Sequence, residues 1–460
     1  MASNLRAHLL TTAERVAAYR EQLATAPVWP AASLDDIVAG FDRPLSTSGV
    51  STDEVLDELV AAAGRGLVGS AGPRYFGFVT GGSVDAALCA DILVSGWDQL
   101  AFNAVSSPAS FAAEVVAGRW IKELLQLPAR SSVGFVTGGQ GANTVALAAA
   151  RGSVLQGAGW DDRDGLFGAP AVRVLASDER HATIDRSLRL LGIGDRAVVP
   201  VASNAQGAMT ADAVARAFAD DSRTPTIVST QAGNVATGAF DEIGTICEIA
   251  HRNNAWVHVD GAFGLWAAAN PATRHLLDGY ERADSWACDG HKWLNVPYDS
   301  GFAICAHPDM HTRAMRYTAA YLSGQDGSPA LAGADLTPES SRRARGMATW
   351  AAIRELGATG VAGLVERCCA MARRFAAQLG DVDGVEIVND VVLNQVLVSF
   401  GDDAHTDRVV ERVQEEGVCW LGSTTWRGQK LMRISVSSWL TSEADVDACV
   451  QSMLAAHRKD

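Results

Sequence analysis

The chain has 460 residues, 48% of them hydrophobic and 20% charged, with a formal net charge of −15. That is globular composition with material for two or three domains, and its acidity argues against nucleic acid or an anionic membrane as a partner. The pattern lacks a charged-then-apolar leader and an apolar run long enough to span a bilayer. Its eight cysteines are scattered without CxxC spacing, the usage expected of reduced core thiols in a cytoplasmic protein.

Residues 1–64 are helix-prone, with a Pro/Gly/Ser-rich break over 27–50, and read as an amphipathic arm without independent stability. The run Pro73-Arg74-Tyr75-Phe76-Gly77-Phe78-Val79-Thr80-Gly81-Gly82 sets aromatics beside glycines, as core packing around a turn would. Residues 110–127 read as an amphipathic helix. A strand at 133–136 then enters Thr137-Gly138-Gly139-Gln140-Gly141-Ala142-Asn143 and a helix at 144–151. Strand, glycine-rich turn and helix N-terminus together make an anion site, because free N–H groups and the helix dipole converge there. A strand at 172–176 leads through His181 into a helix, where a histidine alone reads as a cap. Strands at 198–201, 226–230 and 256–260 alternate with helices at 211–219 and 242–252. Repeated strand–helix units predict a mostly parallel sheet covered by helices on both faces.

Strand 256–260 reads Trp-Val-His-Val-Asp and is followed by Gly261-Ala262-Phe263-Gly264. A carboxylate at the C-terminal end of such a strand points into the cleft of an α/β fold. Residues 284–301 then carry an apolar run to Cys288, a polar loop with Lys292, and a second apolar run at 301–306. A lone loop lysine is most simply a solvated one. With Asp260 in a matching loop it gains a chemical reading. A lysine amine carries the aldehyde of pyridoxal phosphate, and an acid holds the proton on the pyridine nitrogen so that the ring stays an electron sink. The small Ala262 lets a ring lie flat against the backbone.

His-Val-Asp-Gly-Ala followed by Asp-Gly-His-Lys-Trp-Leu-Asn resembles the group II pyridoxal-phosphate-dependent amino-acid decarboxylases, among them the aromatic amino-acid, glutamate and diaminobutyrate decarboxylases. The resemblance runs from about Pro73 to the C-terminus. It implies the aspartate-aminotransferase-like α/β fold, type I, with a mostly parallel seven-stranded sheet in a large domain and a small C-terminal α+β domain. It implies a homodimer with shared active sites, an arm at 1–64 that wraps the partner subunit, a large domain at 65–340 and a small domain at 341–460. It makes Lys292 the Schiff-base lysine, Asp260 the partner of the ring nitrogen, and His181 a residue that stacks on the ring and takes part in protonation. Gly139 and Gln140 become the phosphate cradle, with His291 and Ser300 as second-rank phosphate ligands and Ala262 beneath the ring. Asn234 falls where a side-chain donor reaches the cofactor's phenolate oxygen, which an amide N–H can do; a plain turn asparagine is the alternative. For the substrate, the resemblance points to Phe78 and Thr80, to Phe102 donated across the dimer interface, and to Arg433, whose planar fork suits a carboxylate. Gly77 stands where aromatic-selective relatives carry a large ring. No metal is called for.

Residues 317–340, rich in Gly, Ser, Ala and Pro, read as a mobile lid. Here the chain departs from the family. Decarboxylating relatives carry a tyrosine in this loop, a few residues before the double arginine matched by Arg342-Arg343, and it is credited with protonating the carbanion. The matching place is near Gly333 and Ala334, and Tyr321 sits earlier. Loss of that acid is associated with other outcomes, such as oxidative deamination to an aldehyde. Further on, 386–388, 396–400 and 431–436 read as strands, 405–416 and the stretch after Thr441 as helices, and 424–428 as an ordered loop over the active site. The bond that breaks is the one held perpendicular to the ring, so an arginine gripping the carboxylate in the ring plane would favour transamination or aldol cleavage. The first expectation is an amino-acid decarboxylase. The alternatives are a carbon–carbon lyase or aldolase, a decarboxylating aldehyde synthase or an aminotransferase on the same scaffold. A non-catalytic pyridoxal-phosphate-binding regulator is disfavoured, because the chain is acidic and carries no basic helical domain.

Overall fold

The computed structural model describes residues 4–317 and 333–459. Three helices open the chain, α1 (Leu5–Gln22), α2 (Leu34–Phe41) and α3 (Thr52–Gly64). α2 lies inside the stretch read as a break. A capping box nucleates it, Ser33 Oγ accepting from the Asp36 N–H at 3.2 Å and Asp36 Oδ2 from the Ser33 N–H at 3.3 Å. α1 buries none of its residues.

α4 (Asp85–Trp97) and α5 (Pro108–Leu124) lead into a run of alternating units. These are β1 (Ser132–Val136), α6 (Gly139–Gly157), β2 (Arg173–Ser177), α7 (Ala182–Leu190), β3 (Val198–Val201), α8 (Ala211–Asp220), β4 (Thr226–Gln231), α9 (Ile243–Arg252), β5 (Trp256–Asp260), β6 (Ser285–Asp289) and β7 (Gly301–Cys305). They form a seven-stranded sheet in the order β1-β7-β6-β5-β4-β2-β3. β3, β2, β4, β5 and β6 are parallel neighbours, and β7 is antiparallel to both β6 and β1. β2, β4, β5, β6 and β7 are buried at every position, as strands covered on both faces must be.

The register sets the site. Gln231 pairs with Asp260, and Gly301 pairs with both Asp289 and Val136, so the ends of β4, β5, β6 and β1 meet on one edge of the sheet. Gly301 is glycine because the Gly138 turn presses on it: a Cβ there would lie 2.4 Å from the Gly138 Cα.

α10 (Pro308–Met315) precedes α11 (Arg345–Gly380), which Gly357 interrupts at φ +60°. Then follow β8 (Glu386–Ile387), β9 (Gln395–Ser399), α12 (Asp403–Glu416), β10 (Gly422–Trp426), β11 (Gln429–Ser435) and α13 (Glu443–His457). Their strands make an antiparallel sheet in the order β10-β11-β9-β8. The stretch read as an active-site loop at 424–428 is therefore the end of β10 and a two-residue hairpin turn. Arg427 and Gly428 take φ +50° and +85° there, the left-handed pair that such a turn requires. The chain at 74–76 joins this smaller sheet to the rest: the Trp420 N–H bonds the Arg74 carbonyl, and the Phe76 carbonyl accepts from the Ser435 N–H.

The main core holds Trp266, Trp286, Trp293, Phe135 and Phe302, all fully buried. Seven cysteines are buried, Cys89 is exposed, and all eight are free thiols. Among the described residues no helix is long and apolar enough to cross a membrane. Most of the stretch read as a lid, including Tyr321, lies outside the described residues.

Directly after it, Arg342 makes a two-pronged ion pair with Glu114 of α5, at 2.5 and 2.7 Å, with both side chains buried. Burial pushes the Glu114 pKa up, and the guanidinium opposes that. Removing the arginine leaves a buried, unpaired carboxyl. Arg342→Met is expected to cost roughly 3–5 kcal/mol in urea unfolding, whereas replacing an exposed arginine such as Arg119 should cost less than about 1 kcal/mol.

Candidate active site

A cleft of about 320 Å³ opens at the shared strand edge, within the size range of small-ligand sites. Its wall includes Gly138, Gly139 and Gln140 at the start of α6, His181 before α7, and Gln231, Gly233 and Val235 after β4. Asp260 and Ala262 after β5, and Asp289, His291 and Lys292 after β6, complete it. Lys292 and Asp260, thirty-two positions apart, thus face one cavity.

Asp260 is held from both sides. One oxygen accepts from the Ala262 N–H at 3.3 Å and the other from Asn143 Nδ2 at 3.2 Å. Since that amide nitrogen donates, Asn143 Oδ1 must accept, and its partner is His258 Nε2 at 2.9 Å. His258 therefore carries its proton on Nε2. Its Nδ1 then accepts from Ser285 Oγ at 3.0 Å, and Ser285 Oγ in turn accepts from Trp256 Nε1–H at 2.9 Å. Burial pulls the His258 pKa down to about 3, so a neutral ring terminates the chain of bonds. Asn143 Nδ2 also reaches Thr183 Oγ1 at 3.3 Å, which lies 2.8 Å from His181 Nδ1. One asparagine thus ties Asp260 to His181.

His181 is both a cap and a wall of the cleft. Its Nδ1 accepts from the Thr183 N–H, which leaves Nε2 to carry the proton. Its ring is exposed at the cleft mouth, yet desolvation by the flanking walls lowers its pKa, opposed by Asp260 and reinforced by Lys292 and Arg433. His291 is a second neutral ring. Its Nδ1 accepts from the Ser300 N–H at 3.2 Å, and burial lowers its pKa.

At the start of α6 the cleft is faced by backbone. α6 begins at Gly139 without a side-chain cap, and its first intrahelical bond runs from the Ala142 N–H to the Gly138 carbonyl, so the N–H groups before it have no partner within the helix. The Gln140 side chain turns away, donating to Ser187 Oγ at 2.7 Å and to the Thr183 carbonyl; only its main chain serves the cleft.

Two expected contacts are not brought together. Asn234 is a turn residue, its amide donating to the Glu179 carbonyl and accepting from the Ala236 and Thr237 N–H groups, and Gly233 and Val235 line the wall instead. Ser300 turns its hydroxyl toward Thr349 of α11 and acts on the cleft through His291. Of the substrate candidates, Thr80 bonds the Tyr298 hydroxyl at 3.3 Å, and Tyr298 stacks on His291. Phe78 is 66% exposed and stacks on Trp420, Phe102 is half-buried with its carbonyl bonded by the Ala334 N–H, and Arg433 on β11 donates to the Val235 carbonyl at 3.4 Å. Thr80 and Arg433 thus reach residues of the wall, and none of the four is part of that wall in one chain.

The residues missed from sequence are Asn143, Thr183, Gln231 and Asp289. Asn143 stands one helical turn after Gly139, and Asp289 stands three before Lys292; both spacings were legible. The buried Gln231 Nε2 and Asp289 Oδ1 have no hydrogen-bond partner, which is how a wall made for a polar ligand looks. An amine, a fixed carboxylate, a flat alanine floor and a helix N-terminus are the donor set that pyridoxal phosphate requires, and they fit it.

The family model for the pyridoxal-dependent decarboxylase conserved domain matches residues 37–401. Tryptophan decarboxylase 1 of Oryza sativa subsp. japonica is 27% identical across 97% of this chain and 92% of its own length. The 4-hydroxyphenylacetaldehyde synthase of Rhodiola rosea is 28% identical across 93% and 90%. Among solved structures, Oryza sativa TDC with PLP and tryptamine superimposes with a TM-score of 0.91 at 24% identity, covering 99% of this chain and 98% of the other.

The His258 ring makes a pH-dependent contribution that can be measured. Its folded pKa lies below the ordinary value of 6.5, so below that pH the unfolded chain binds a proton that the folded one refuses. Stability is therefore lost as pH falls from about 6.5 toward 3. Relative to a His258→Gln variant, the wild type should lose up to about 1.4 kcal/mol per pH unit over this window in urea titrations.

Proposed function

As a member of the pyridoxal-dependent decarboxylase family, the chain is a pyridoxal phosphate enzyme acting on an amino acid, and we propose that it removes the α-carboxylate as carbon dioxide and leaves an amine. The observation that carries this reading is the convergence of Lys292, Asp260 and the α6 N-terminus on one cleft. Bound there, pyridoxal phosphate supplies an electron sink for the pair left on the α-carbon. Lys292 offers the amine that holds the aldehyde. Asp260, fixed by Asn143, keeps a proton on the ring nitrogen. Gly139 and Gln140 offer main-chain N–H groups and His291 its Nε2–H to the phosphate, Ala262 leaves room for the ring, and His181 covers it. Arg433 is proposed to meet the substrate without holding its carboxylate in the ring plane, which would favour transamination or aldol cleavage: among the described residues it has no carboxylate partner, and its charge bears on His181.

An aromatic amino acid is the proposed substrate. Gly77 leaves a space that the Trp420 ring fills, a Cβ there coming within 2.0 Å of it, and Trp420 stacks on Tyr75 and Phe78. That aromatic face continues to the cleft through Thr80, Tyr298 and His291. The names of relatives such as tryptophan decarboxylase and 4-hydroxyphenylacetaldehyde synthase support the same class.

A second reading, decarboxylation with oxidation to an aldehyde, has its own support. At Gly333 a side chain is excluded, a Cβ lying 2.1 Å from the Arg342 guanidinium, and Ala334 is buried. The place where relatives set a tyrosine thus offers no acid to return a proton to carbon, and dioxygen would become the co-reactant.

The exposed Leu5, Leu9, Leu10, Leu34, Val38 and Phe41 of α1 and α2 support a homodimer in which the arm at 1–64 packs on a second copy and Phe102 reaches the partner's site. The divisions at 64/65 and 340/341 belong to the same proposal, and the free thiols support a reducing compartment, the cytoplasm.

Lys292→Ala should abolish the visible absorption of the bound cofactor and lower turnover at least about a thousandfold. With a panel of aromatic amino acids, amine and carbon dioxide in equal amounts are the expected products. Aldehyde with ammonia and peroxide selects the second reading, and none of these products from any amino acid would overturn both.

A further inference from the structure

A tie between two loops of the cleft has no part in the chemistry above. β2 and β4 are parallel neighbours, so the turns after them leave the sheet side by side. The turn after β2 carries Glu179 and His181. The turn after β4 carries Asn234 between the wall residues Gly233 and Val235. Asn234 is 1% exposed and bonds in two directions. Its Oδ1 accepts from the Ala236 N–H at 2.9 Å and the Thr237 N–H at 3.2 Å, which shapes its own turn. Its Nδ2 donates to the Glu179 carbonyl at 3.0 Å, on the other turn and two residues before His181. An asparagine serving its own turn needs the two accepted bonds and not the donated one. The smaller sheet covers this tie from outside. A Cβ on Gly207 would come within 2.4 Å of the Trp426 ring and 3.5 Å of Asn234 Nδ2. Arg427, next in the hairpin, donates to Ser203 Oγ at 3.2 Å and to the Asn204 carbonyl, and its Nε lies 4.0 Å from the Glu179 carboxylate.

We propose that Asn234 is a positioning residue: its amide holds the Glu179 main chain and so places the His181 ring at the cleft, with the Trp426–Arg427 hairpin of the smaller sheet backing the tie. On the strand side, the Glu179 N–H bonds Ser177 Oγ at 3.0 Å and the Arg180 N–H bonds the Ser177 carbonyl at 3.2 Å. On the helix side, His181 Nδ1 accepts from the Thr183 N–H. The Asn234 amide joins that turn to the neighbouring wall. Without it the Glu179 carbonyl turns to water for a donor, and the ring moves outward with the turn. A displacement of about 1 Å at a group that meets the reacting atoms costs up to roughly a hundredfold in rate. For turnover, the inference rests on the proposed place of His181 over the cofactor; the tie itself does not.

Asn234→Ser tests the tie, because its hydroxyl keeps an acceptor for the turn and is too short to reach the Glu179 carbonyl. Asn394→Ser is the control for lost stability: it removes another buried amide, one that bonds the Val436 carbonyl and the Ser437 hydroxyl. The first readout is the His181 ring titration followed by NMR in the full chain without cofactor. The wild-type value should lie below 6.5, and in Asn234→Ser it should rise by about half a unit or more as water reaches the ring. The charged groups acting on that ring are Asp260, Lys292, Arg433 and Asp289, with Glu179 and Arg180 in its own turn, and all are kept in both variants. The second readout uses protein loaded with pyridoxal phosphate. Asn234→Ser should lose visible circular dichroism from the cofactor, and its kcat should fall about tenfold, while Asn394→Ser melts lower and changes neither. A lower melting temperature in Asn234→Ser with the wild-type His181 titration and dichroism would overturn the proposal, as would equal changes in the two variants. Should Asn234→Ser not fold, Trp426→Ala takes its place, and an unmoved His181 titration there rejects the tie. A His181→Ala protein with unaltered spectrum and turnover would refute the place of His181 over the cofactor, whereas a shifted His181 titration in Asn234→Ser would still uphold the tie.

Discussion

The site depends on one buried carboxylate whose position is settled by hydrogen bonds. Asp260 sits at the end of a strand covered on both faces, where an ionised group persists only if its oxygens are satisfied. Asn143 and the Ala262 N–H satisfy them. The direction of every other bond in the chain then follows: the amide nitrogen must donate, so its oxygen accepts, so His258 is protonated on Nε2 and neutral, and Ser285 and Trp256 complete the row. A pyridine nitrogen placed against Asp260 meets a carboxylate that cannot turn away.

The remainder of the cleft divides by charge. Lys292 lies 3.1 Å from the Asp289 carboxylate and shares the cleft with that of Asp260. Both histidines lose basicity through desolvation, and each has a backbone donor on Nδ1 that leaves Nε2–H free. The start of α6 offers the cleft its main chain, since Gln140 spends its side chain on α7.

The smaller sheet contributes by contact across the chain at 74–76 and through Arg433 and Trp420. Trp420 is packed into the space over Gly77 and stacked with Tyr75 and Phe78. An aromatic face made from two distant segments reaches the cleft through Tyr298 and His291. The buried Glu114–Arg342 pair anchors the chain where it re-enters α11, and it also closes Gly333 to any side chain.

Much was legible in the amino acids alone. Apolar runs bounded by turns gave the strands nearly to the residue, because strands buried on both faces need unbroken β-branched and aromatic sequence. Lys292, Asp260 and the Gly138–Gly139 turn were readable because each lies at a strand end, and strand ends converge in this topology. α2 and β10 were not, since a short capped helix and an edge hairpin depend on local cap and turn geometry more than on apolar period. Nor were the directions in which side chains point. Asn234 sits between two cleft residues and turns away, and Ser300 meets the cleft only through His291, whereas Asn143 and Asp289 line it. Which oxygen faces which donor is a matter of ångströms set by packing between segments far apart in the chain, and only the folded arrangement decides it.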